Sequence, residues 1–357
     1  MLTRVRKSGK KDKNVIHMEA PFISICIPSY HSEKRPGNLY GLLKTIDAKN
    51  AHDIEIIITD DKSPKIEIVR AEVAKFLNET KYRVVFKENA ENLGYDRNIK
   101  ELTTLAKGKW IVFMGDDDEF VSGALDKLIH FLRQHDELGF VLKSHYTIHA
   151  GNKPERFRYF DGTRFFEPGV DTLVTLFRRS VFIAGFTIRR EFLPPLIDDF
   201  DHSLLVQNYF LGEVVLKHKA AYFDEPLTQQ YEDGAEMGEG MGGEKKEHAV
   251  RSPSLQTSIN FMKSYIVIPE YFDTKYGIQC AAAVKRDMSK YFYPSLALHR
   301  NKGLRVFFGY VRELNKLGFN ITVYYYIYVI ALTFLGRTAC DNIIRILKNV
   351  LGKTPQL

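Results

Sequence analysis

Short apolar runs alternate with segments of helical spacing over the first 120 residues. Four apolar runs rich in β-branched residues predict buried strands, at Phe22–Ile27, Asp53–Thr59, Tyr82–Lys87 and Trp110–Met114. Three segments between them carry apolar residues at helical spacing, at Leu39–Asp47, Ile66–Leu77 and Tyr95–Leu105. Strands that alternate with helices form parallel sheets through right-handed crossovers. The pattern therefore predicts an α/β fold, with a mostly parallel, Rossmann-like sheet flanked by helices.

The chain beyond residue 130 has a different pattern. Residues 140–230 are mixed, with one helix predicted at His202–Leu211, and residues from about 255 onward are helical in character. Between these regions, Gly234–Glu247 is glycine-rich and of low complexity, which indicates a linker or a loop that orders over a substrate. The predicted organisation has three parts: a flexible basic arm at 1–20, an α/β domain at 21–250 and a helical, basic C-terminal region at 251–357.

Charge is distributed unevenly along the chain. The net charge is +7, but residues 1–20 carry +4, residues 21–250 carry −7 and residues 251–357 carry +10. An acidic centre with basic ends suits a protein that holds a cation centrally and meets an anionic partner with its tail. Anionic lipid head groups attract Lys and Arg, whereas no groove-reading module for nucleic acid is recognisable. We therefore expect a membrane surface, and no nucleic acid, as a partner.

Two segments near the C-terminus bear on membrane contact. Ile321–Gly336 contains no charged residue; as a helix it is about 24 Å long, short of the ~30 Å hydrocarbon core. Cys340–Lys353 places its apolar residues on one helix face, a pattern typical of a helix in the membrane plane. The alternative is a helical subdomain packed on the rest of the protein. Met1–Asn14 leads into no apolar segment typical of a signal peptide, so we expect a cytoplasmic protein, peripheral on the inner face of the cell membrane.

Acidic residues follow two of the predicted strands. Asp60 and Asp61 come after the second strand, and Asp116, Asp117 and Asp118 come after the fourth. Open α/β sheets bind ligands beyond the C-terminal ends of their strands, and one or two carboxylates with phosphate and water suffice to hold Mg²⁺ or Mn²⁺. The alternatives are a turn with helix capping for the first pair and a helix start for the second group, where acidic residues favour the N-terminus. Two acidic groups after two strands favour a ligand site.

Four segments, in this order, resemble the signature blocks of family 2 glycosyltransferases with the GT-A fold: Ile23–Tyr30, Ile56–Ser63, Asn92–Asn98 and Gly108–Asp118. The clear resemblance covers residues 21–130, and a weaker similarity extends to about residue 230. The Gly-Asp-Asp-Asp sequence and the stretch Phe182–Arg190 look closest to the abequosyltransferase-like branch, which builds bacterial surface polysaccharide.

The resemblance implies a set of residues around a nucleotide-sugar donor. It places Asp61 at the nucleotide base, with Asp60 beside it, and Asp116 nearer the ribose. The other donor-side positions that it implies are Pro28, Tyr30, Asn92, Gly94 and Arg97. Gly94 as a simple turn glycine and Arg97 as an ordinary helix arginine are the alternatives.

The resemblance also implies a metal site. Asp117 matches the metal-binding aspartate of the family, and a bound Mn²⁺ or Mg²⁺ stabilises the charge that builds on the diphosphate leaving group. The commoner family pattern is Asp-X-Asp-Asp, and here Gly115 stands in the first place. Asp118 is the residue that could supply the missing carboxylate.

An inverting transferase needs a base that takes the proton of the acceptor hydroxyl. The resemblance places it at the start of a helix some 80 residues beyond the metal motif, where Asp199 matches best and Asp201 and Asp198 are rivals. Capping of the following helix is the alternative role for these residues.

The residues and the resemblance together predict an inverting glycosyltransferase. It would move a sugar from a nucleoside-diphosphate sugar to a glycan or lipid-linked glycan acceptor in surface polysaccharide synthesis. One alternative is a non-catalytic GT-A-like scaffold that binds glycans. The other is a Mg²⁺-dependent phosphotransferase, but such sites usually have a nucleophilic aspartate after the first strand, where this chain has Pro28-Ser29-Tyr30.

Overall fold

A computed structural model describes residues 2–3, 20–31, 38–149, 154–232 and 254–351 of the chain. The predicted N-terminal arm lies almost wholly outside these residues, and the glycine-rich stretch Gly234–Glu247 lies entirely outside them.

The strands form one mixed sheet. They are β1 Leu2–Thr3, β2 Ile23–Ser29, β3 Ile54–Asp60, β4 Arg83–Glu88, β5 Trp110–Phe113, β6 Glu119–Phe120, β7 Leu138–His149, β8 Glu155–Phe157, β9 Arg164–Phe166, β10 Phe186–Arg189 and β11 Lys219–Glu232. Their order is β1-β4-β3-β2-β5-β10-β7-β11-β6, with β8 beside β7 and β9 beside β11. β4, β3, β2 and β5 are parallel, β10 is antiparallel to both of its neighbours, and β7 and β11 are parallel to each other. The predicted α/β class is confirmed, and the parallel part of the sheet is the part that the sequence pattern identified.

The helices flank this sheet and continue into the C-terminal region. They are α1 Leu39–Thr45, α2 Ile66–Glu79, α3 Tyr95–Leu105, α4 Ala124–Gln134, α5 Val170–Phe177, α6 Val206–Val215, α7 Leu255–Tyr276, α8 Ala281–Ser289, α9 Tyr293–Asn301, α10 Leu304–Lys316 and α11 Val323–Leu351. The prediction of a helical C-terminal region is confirmed. The helix predicted from His202 begins only at Val206, because His202 and Leu204 have φ values of 67° and 60°, which an α-helix cannot contain.

Alternating side chains of the central strands fill two apolar cores, one on each face of the sheet. Ile25, for example, points toward α1, α2 and α4, whereas Cys26 points toward α3, α5 and α6. Buried residues of α7 to α11, among them Phe272 and Tyr310, belong to the second core. The C-terminal helices therefore pack on the α3 and α6 side of the sheet.

Candidate functional site

Three parallel strands end at the same edge of the sheet and bring their loops together. β2 pairs with β3 up to Ser29 and Asp60, and with β5 up to Cys26 and Phe113. The loops after these strands contain Tyr30, the Asp60–Asp61 pair and the 115–118 segment. The edge is where open α/β sheets bind ligands, and the predicted donor-side residues lie along it.

Asp116 connects the loop after β5 with the loop after β2. Its side chain is fully buried, and Oδ2 accepts a hydrogen bond from the Tyr30 backbone N–H at 3.2 Å and lies 3.3 Å from His31 Nε2. The Asp116 carbonyl accepts a bond from the Asn38 N–H at 3.0 Å, at the start of α1. Asp116 thus fixes both ends of the β2–α1 connection. His31 was not identified from the sequence, although it directly follows the predicted Tyr30.

Asp117 and Asp118 fold back over Gly115. The Asp118 N–H donates to the Gly115 carbonyl at 3.1 Å, which closes a turn. A Cβ atom at Gly115 would lie 2.7 Å from Asp118 Oδ2 and 2.9 Å from Asp117 Oδ1, so both carboxylates face the small space above this glycine. A side chain at Gly115 would have to displace them. The departure from the commoner family pattern therefore leaves room for two converging carboxylates.

The acidic segment does not begin a helix. β6 follows it at Glu119–Phe120, and α4 starts only at Ala124. The helix-start alternative for Asp116–Glu119 is therefore wrong. β6 instead pairs with the end of β11, where Glu119 Oε2 accepts bonds from Gln229 Nε2 at 2.6 Å and from the Tyr231 hydroxyl at 2.8 Å. Gln229 and Tyr231 were not identified from the sequence as neighbours of the aspartates.

The residues present suit a divalent cation that is completed by a ligand. Within the described part of the chain, no group of three or more His, Cys, Asp or Glu side chains could hold a metal alone. Mg²⁺, however, is usually held by one or two carboxylates together with substrate phosphates and water. Asp117 and Asp118, which face one space at the strand edge, match that requirement.

Asp60 and Asp61 are buried and hold loops in place. Asp60 Oδ1 accepts from the Ser63 N–H at 2.8 Å and its other oxygen accepts from the Ser63 hydroxyl, which makes the predicted turn. α2 begins later, at Ile66, with Lys65 in the capping position, so Asp60 and Asp61 do not cap this helix. Burial raises the pKa of Asp60, and the bonds from Ser63 oppose that rise.

Asp61 holds the loop that contains Asn92 and Gly94. Its Oδ1 accepts from the Leu93 N–H at 2.7 Å and from Asn89 Nδ2 at 3.0 Å, and its Oδ2 accepts from the Gly94 N–H at 2.9 Å. Burial raises the pKa of Asp61 to about 6, although these bonds act to lower it. Gly94 has a φ of 77°, a value that favours glycine, and it directly precedes α3. The segments Ile56–Ser63 and Asn92–Asn98, which were predicted separately, are therefore joined through Asp61.

Arg97 of α3 lies between the loop after β4 and the loop before α6. Its guanidinium is 3.8 Å from Glu91 and 3.9 Å from the Asp201 carboxylate. A cavity of about 690 Å³ opens here, between α3, the loop after β4 and residues 196–198. Its polar lining includes Arg97, Lys100 and Asp198. Arg97 thus contacts Asp201, in the loop that was predicted from the sequence to contain the general base.

Two of the three acids before α6, Asp198 and Asp201, contact Lys100 of α3. Lys100 Nζ donates to the Ile197 carbonyl at 2.8 Å and to Asp198 Oδ1 at 3.1 Å, and it pairs closely with Asp201. The Asp201 side chain is 15% exposed and is held by cations, whereas Asp199 is exposed to solvent. Asp201 is therefore engaged within the protein, and Asp199 is open to solvent.

Asp96, which was missed from the sequence, secures the start of α6. Its buried carboxylate accepts from the Leu204 N–H at 2.7 Å and from the Val206 N–H at 2.9 Å. The residue at the capping position is Leu205, and no side chain caps the helix locally. The capping alternative for Asp199 and Asp201 is therefore wrong. The only local signal was an acid in the first turn of α3, which does not reveal a partner more than a hundred residues away.

Three arginines outside the strand-edge site have acidic partners within the protein. Arg156 and Arg158 both pair with Asp224 of β11. Arg178 donates to Asp287 of α8 at 3.1 Å, and its guanidinium stacks over the Tyr291 ring. These contacts indicate that Arg156, Arg158 and Arg178 stabilise the fold.

The chain matches one family over the strands and loops described above. The profile of the family described as Glycosyl transferase family 2 matches residues 24–191. This segment belongs to glycosyl transferase family 2. The matched residues include β2, β3, β5 and the loops that follow them, so the family and fold predicted from the four sequence blocks are confirmed.

Relatives of known sequence are distant and are matched over only part of their length. The chain is 29% identical over 110 residues to abequosyltransferase RfbV of Salmonella typhimurium, 31% of this chain and 32% of that protein. It is 26% identical over 119 residues to an uncharacterized glycosyltransferase of Haemophilus influenzae, 33% of this chain and 37% of that protein. The matches span about a third of these relatives.

Solved structures show the same fold at low identity. S. aureus TarS 1-349 superposes with a TM-score of 0.51 at 15% identity, over 78% of this chain and 72% of that chain. The complex of TarS 1-349 with UDP-GlcNAc gives a TM-score of 0.52 at 14% identity, over 86% of this chain and 78% of that chain. The GT-A-like architecture is thus shared with TarS.

Proposed function

We propose that this protein is an inverting glycosyltransferase that takes a sugar from a nucleoside-diphosphate donor. The observation that carries the proposal is the placement of Asp117 and Asp118 over Gly115, beside the Asp116–Tyr30 contact at the C-terminal edge of the parallel strands. Family membership, the names of the relatives and the UDP-GlcNAc complex of TarS support the choice of donor.

The loops that Asp61 and Asp116 hold in place are the proposed donor-binding loops. The proposed nucleotide pocket is bounded by Pro28 and Tyr30 on one side and by the loop that Asp61 holds on the other. Asp61 is the proposed contact to the nucleotide base. To bind the base, its carboxylate must give up a hydrogen bond from the Leu93 or Gly94 N–H. Asp116 keeps Tyr30 and the ribose side of the pocket in place.

Asp117 and Asp118 are the proposed ligands of Mn²⁺ or Mg²⁺. Such a cation, when bound, stabilises negative charge on the diphosphate oxygens as the glycosidic bond breaks. The role of the two carboxylates is to present their oxygens to one position, and Gly115 allows this by having no side chain.

Asp199 is the proposed base. It would accept the proton of the acceptor hydroxyl while the oxygen attacks the anomeric carbon from the face opposite the leaving diphosphate. Its exposure leaves it available, whereas Lys100 and Arg97 already engage Asp201. Asp201 is then a positioning residue, which together with Asp96 fixes the loop that carries Asp199.

The proposed acceptor is a glycan or a lipid-linked glycan of surface polysaccharide synthesis. The relationship to an abequosyltransferase and the basic, helical C-terminal region support this class of acceptor. An enzyme that acts on a lipid-linked acceptor works at a membrane, so the proposed location is the inner face of the cell membrane, with peripheral attachment through residues 251–357.

The direct test is slow hydrolysis of nucleotide-sugars by the purified chain. We expect one donor to release its nucleoside diphosphate in the presence of Mn²⁺, and release to stop with EDTA or in Asp117→Asn. Asp171→Asn, at an exposed acid in the first turn of α5, is the matched control and should keep full activity. Release of inorganic phosphate instead would support a phosphotransferase, and no release from any donor would support a glycan-binding scaffold.

A further inference from the structure

An apolar stripe of α11 faces solvent. Val323, Ile327, Ile330 and Phe334 recur at helical spacing, and they are 66%, 52%, 57% and 82% exposed. The opposite face is buried, with Tyr325 and Leu332 packed into the core that holds α9 and α10. α11 is therefore apolar on both sides, and only one side is covered. Contiguous exposed apolar surface of this kind marks an interaction site.

α11 is not one continuous helix of membrane-spanning length. Val323–Ile346 is long and apolar enough by composition to cross a membrane. Gly336 interrupts it, however, with a φ of 74° and a ψ of 174°. The part before Gly336 is about 20 Å long, too short for a ~30 Å hydrocarbon core. Its buried face is also tied to the protein, because the Tyr325 hydroxyl donates to Asn315 Oδ1 of α10 at 2.9 Å.

Apolar side chains are also exposed beyond the bend. Ile343 and Ile346 are 45% and 59% exposed on the second part of α11. Tyr324 and Tyr326, about half exposed, flank the stripe on the first part. Tyrosine is enriched where proteins meet the interface between lipid and water, because its ring is apolar and its hydroxyl is polar.

Charge identifies the partner of this surface. Residues 251–357 contain 15 Lys and Arg against 5 Asp and Glu. Several of these acids are used internally: Asp287 pairs with Arg178, Asp341 pairs with Arg337, and Glu313 pairs with Lys316. A second copy of the chain would bring like charges together, whereas an anionic surface would attract them.

We propose that the α11 surface, formed by Val323, Ile327, Ile330 and Phe334, docks in the plane of an anionic lipid bilayer. α11 lies parallel to the membrane with this face in the boundary between head groups and acyl chains. The proposal deepens the proposed function, because it gives the membrane attachment a defined surface, but the interaction itself requires no sugar transfer.

The test is binding of the full chain to vesicles by flotation. We expect binding to phosphatidylcholine vesicles that contain phosphatidylglycerol, and weaker binding to phosphatidylcholine alone. Phe334→Glu with Ile330→Glu should weaken binding about tenfold or more, because two large side chains no longer enter the apolar layer. Ile68→Glu replaces an apolar side chain on α2 that is 46% exposed and should bind like the unchanged protein. High salt should lower binding, since the attraction is partly electrostatic.

Three results would overturn the proposal. The first is equal binding by the double variant and Ile68→Glu. The second is a dimer in light scattering that binds no vesicles and that Phe334→Glu dissociates, which would assign the surface to a second copy. The third is resistance to extraction by alkaline carbonate, which would indicate a spanning helix. Melting with Mn²⁺ and nucleotide-sugars, measured without lipid, checks that each variant is folded and tests the proposed function separately.

Discussion

Two groups of acids in this protein are held in opposite ways. The strand-end acids, Asp60, Asp61 and Asp116–Asp118, include three fully buried carboxylates that accept bonds from neighbouring loops. The loop acids, Asp198, Asp199 and Asp201, lie before α6 and are ordered by cations of α3 or exposed to solvent. A donor site gains from rigid, preformed geometry. Under the proposed function the loop acids meet the acceptor, which must enter and leave, so a less buried arrangement suits them.

The largest expected effect comes from the strand-end acids. Asp117→Ala should lower Mn²⁺-dependent release of the nucleoside diphosphate by about 10³-fold, because a lost metal ligand removes several kcal/mol of transition-state stabilisation. Asp118→Ala should have a similar effect if both carboxylates bind one cation. Initial rates at saturating donor measure this. If Asp118→Ala keeps full activity while Asp117→Ala is inactive, only the Asp117 carboxylate contacts the metal.

The next effect separates the members of the loop group. Asp199→Asn should lower transfer to an acceptor by about 10²-fold or more, which is the usual contribution of a general base. Donor binding should not change, because the substitution leaves the strand-end acids in place. Asp201→Asn should lower transfer less, and should also lower the melting temperature, because Lys100 loses a partner. The assignment is reversed if Asp201→Asn abolishes transfer and Asp199→Asn does not.

Asp61 gives a smaller effect with a defined pH dependence. Burial raises the pKa of Asp61 in the folded protein to about 6, above its ordinary value of 3.8, so between these values the folded state binds a proton that the unfolded state has lost. Stability from this group is therefore present at low pH and lost as pH rises toward 6. Asp61→Asn should remove that slope in denaturant unfolding. It should also raise the donor KM about tenfold, the cost of about one hydrogen bond to a charged group; an unchanged KM would exclude Asp61 from the base contact.

The smallest expected effect is on stability and comes from Lys143, a buried cation that contrasts with both the strand-end acids and the loop acids. It lies on β7, fully buried, and its Nζ has no hydrogen-bond partner among the described residues. Burial lowers the pKa of Lys143 to about 7, so the unfolded state binds more protons between pH 7 and 10.5 and stability rises with pH across that window. Lys143→Met should stabilise the fold by about 1–2 kcal/mol at neutral pH and flatten this rise. A destabilised Lys143→Met variant would show that the ammonium has a partner in solution.

The sequence predicted the parallel part of the sheet and its helices well because the signals there are local. The apolar spacing of Tyr95–Leu105 matches α3, and the runs before Asp60 and Gly115 match β3 and β5. The loop before α6 depends on distant contacts. Asp96 secures the amides of Leu204 and Val206, and Lys100 gathers Asp198 and Asp201, and neither role has a local pattern.

The aspartate segment itself lies between these cases. Its position after an apolar strand was visible in the sequence, and so was the replacement of the first family aspartate by Gly115. The physical meaning of that glycine was not, because it depends on how Asp117 and Asp118 fold back over it. The direction of α11 was likewise hidden: its composition indicated an apolar helix, but only the fold shows which face remains uncovered.

The most direct test of the central claim is a thermal-shift titration of nucleotide-sugars with and without Mn²⁺. Binding stabilises the folded state by RT ln(1 + [L]/Kd), which is about 2.7 kcal/mol at 100 times Kd. We predict that one donor raises the melting temperature only when Mn²⁺ is present, and that Asp117→Ala abolishes this shift while Asp171→Asn keeps it. If no donor stabilises the protein with Mn²⁺, or if Asp117→Ala responds as the unchanged chain does, the assignment of Asp117 and Asp118 to a metal-dependent donor site is wrong.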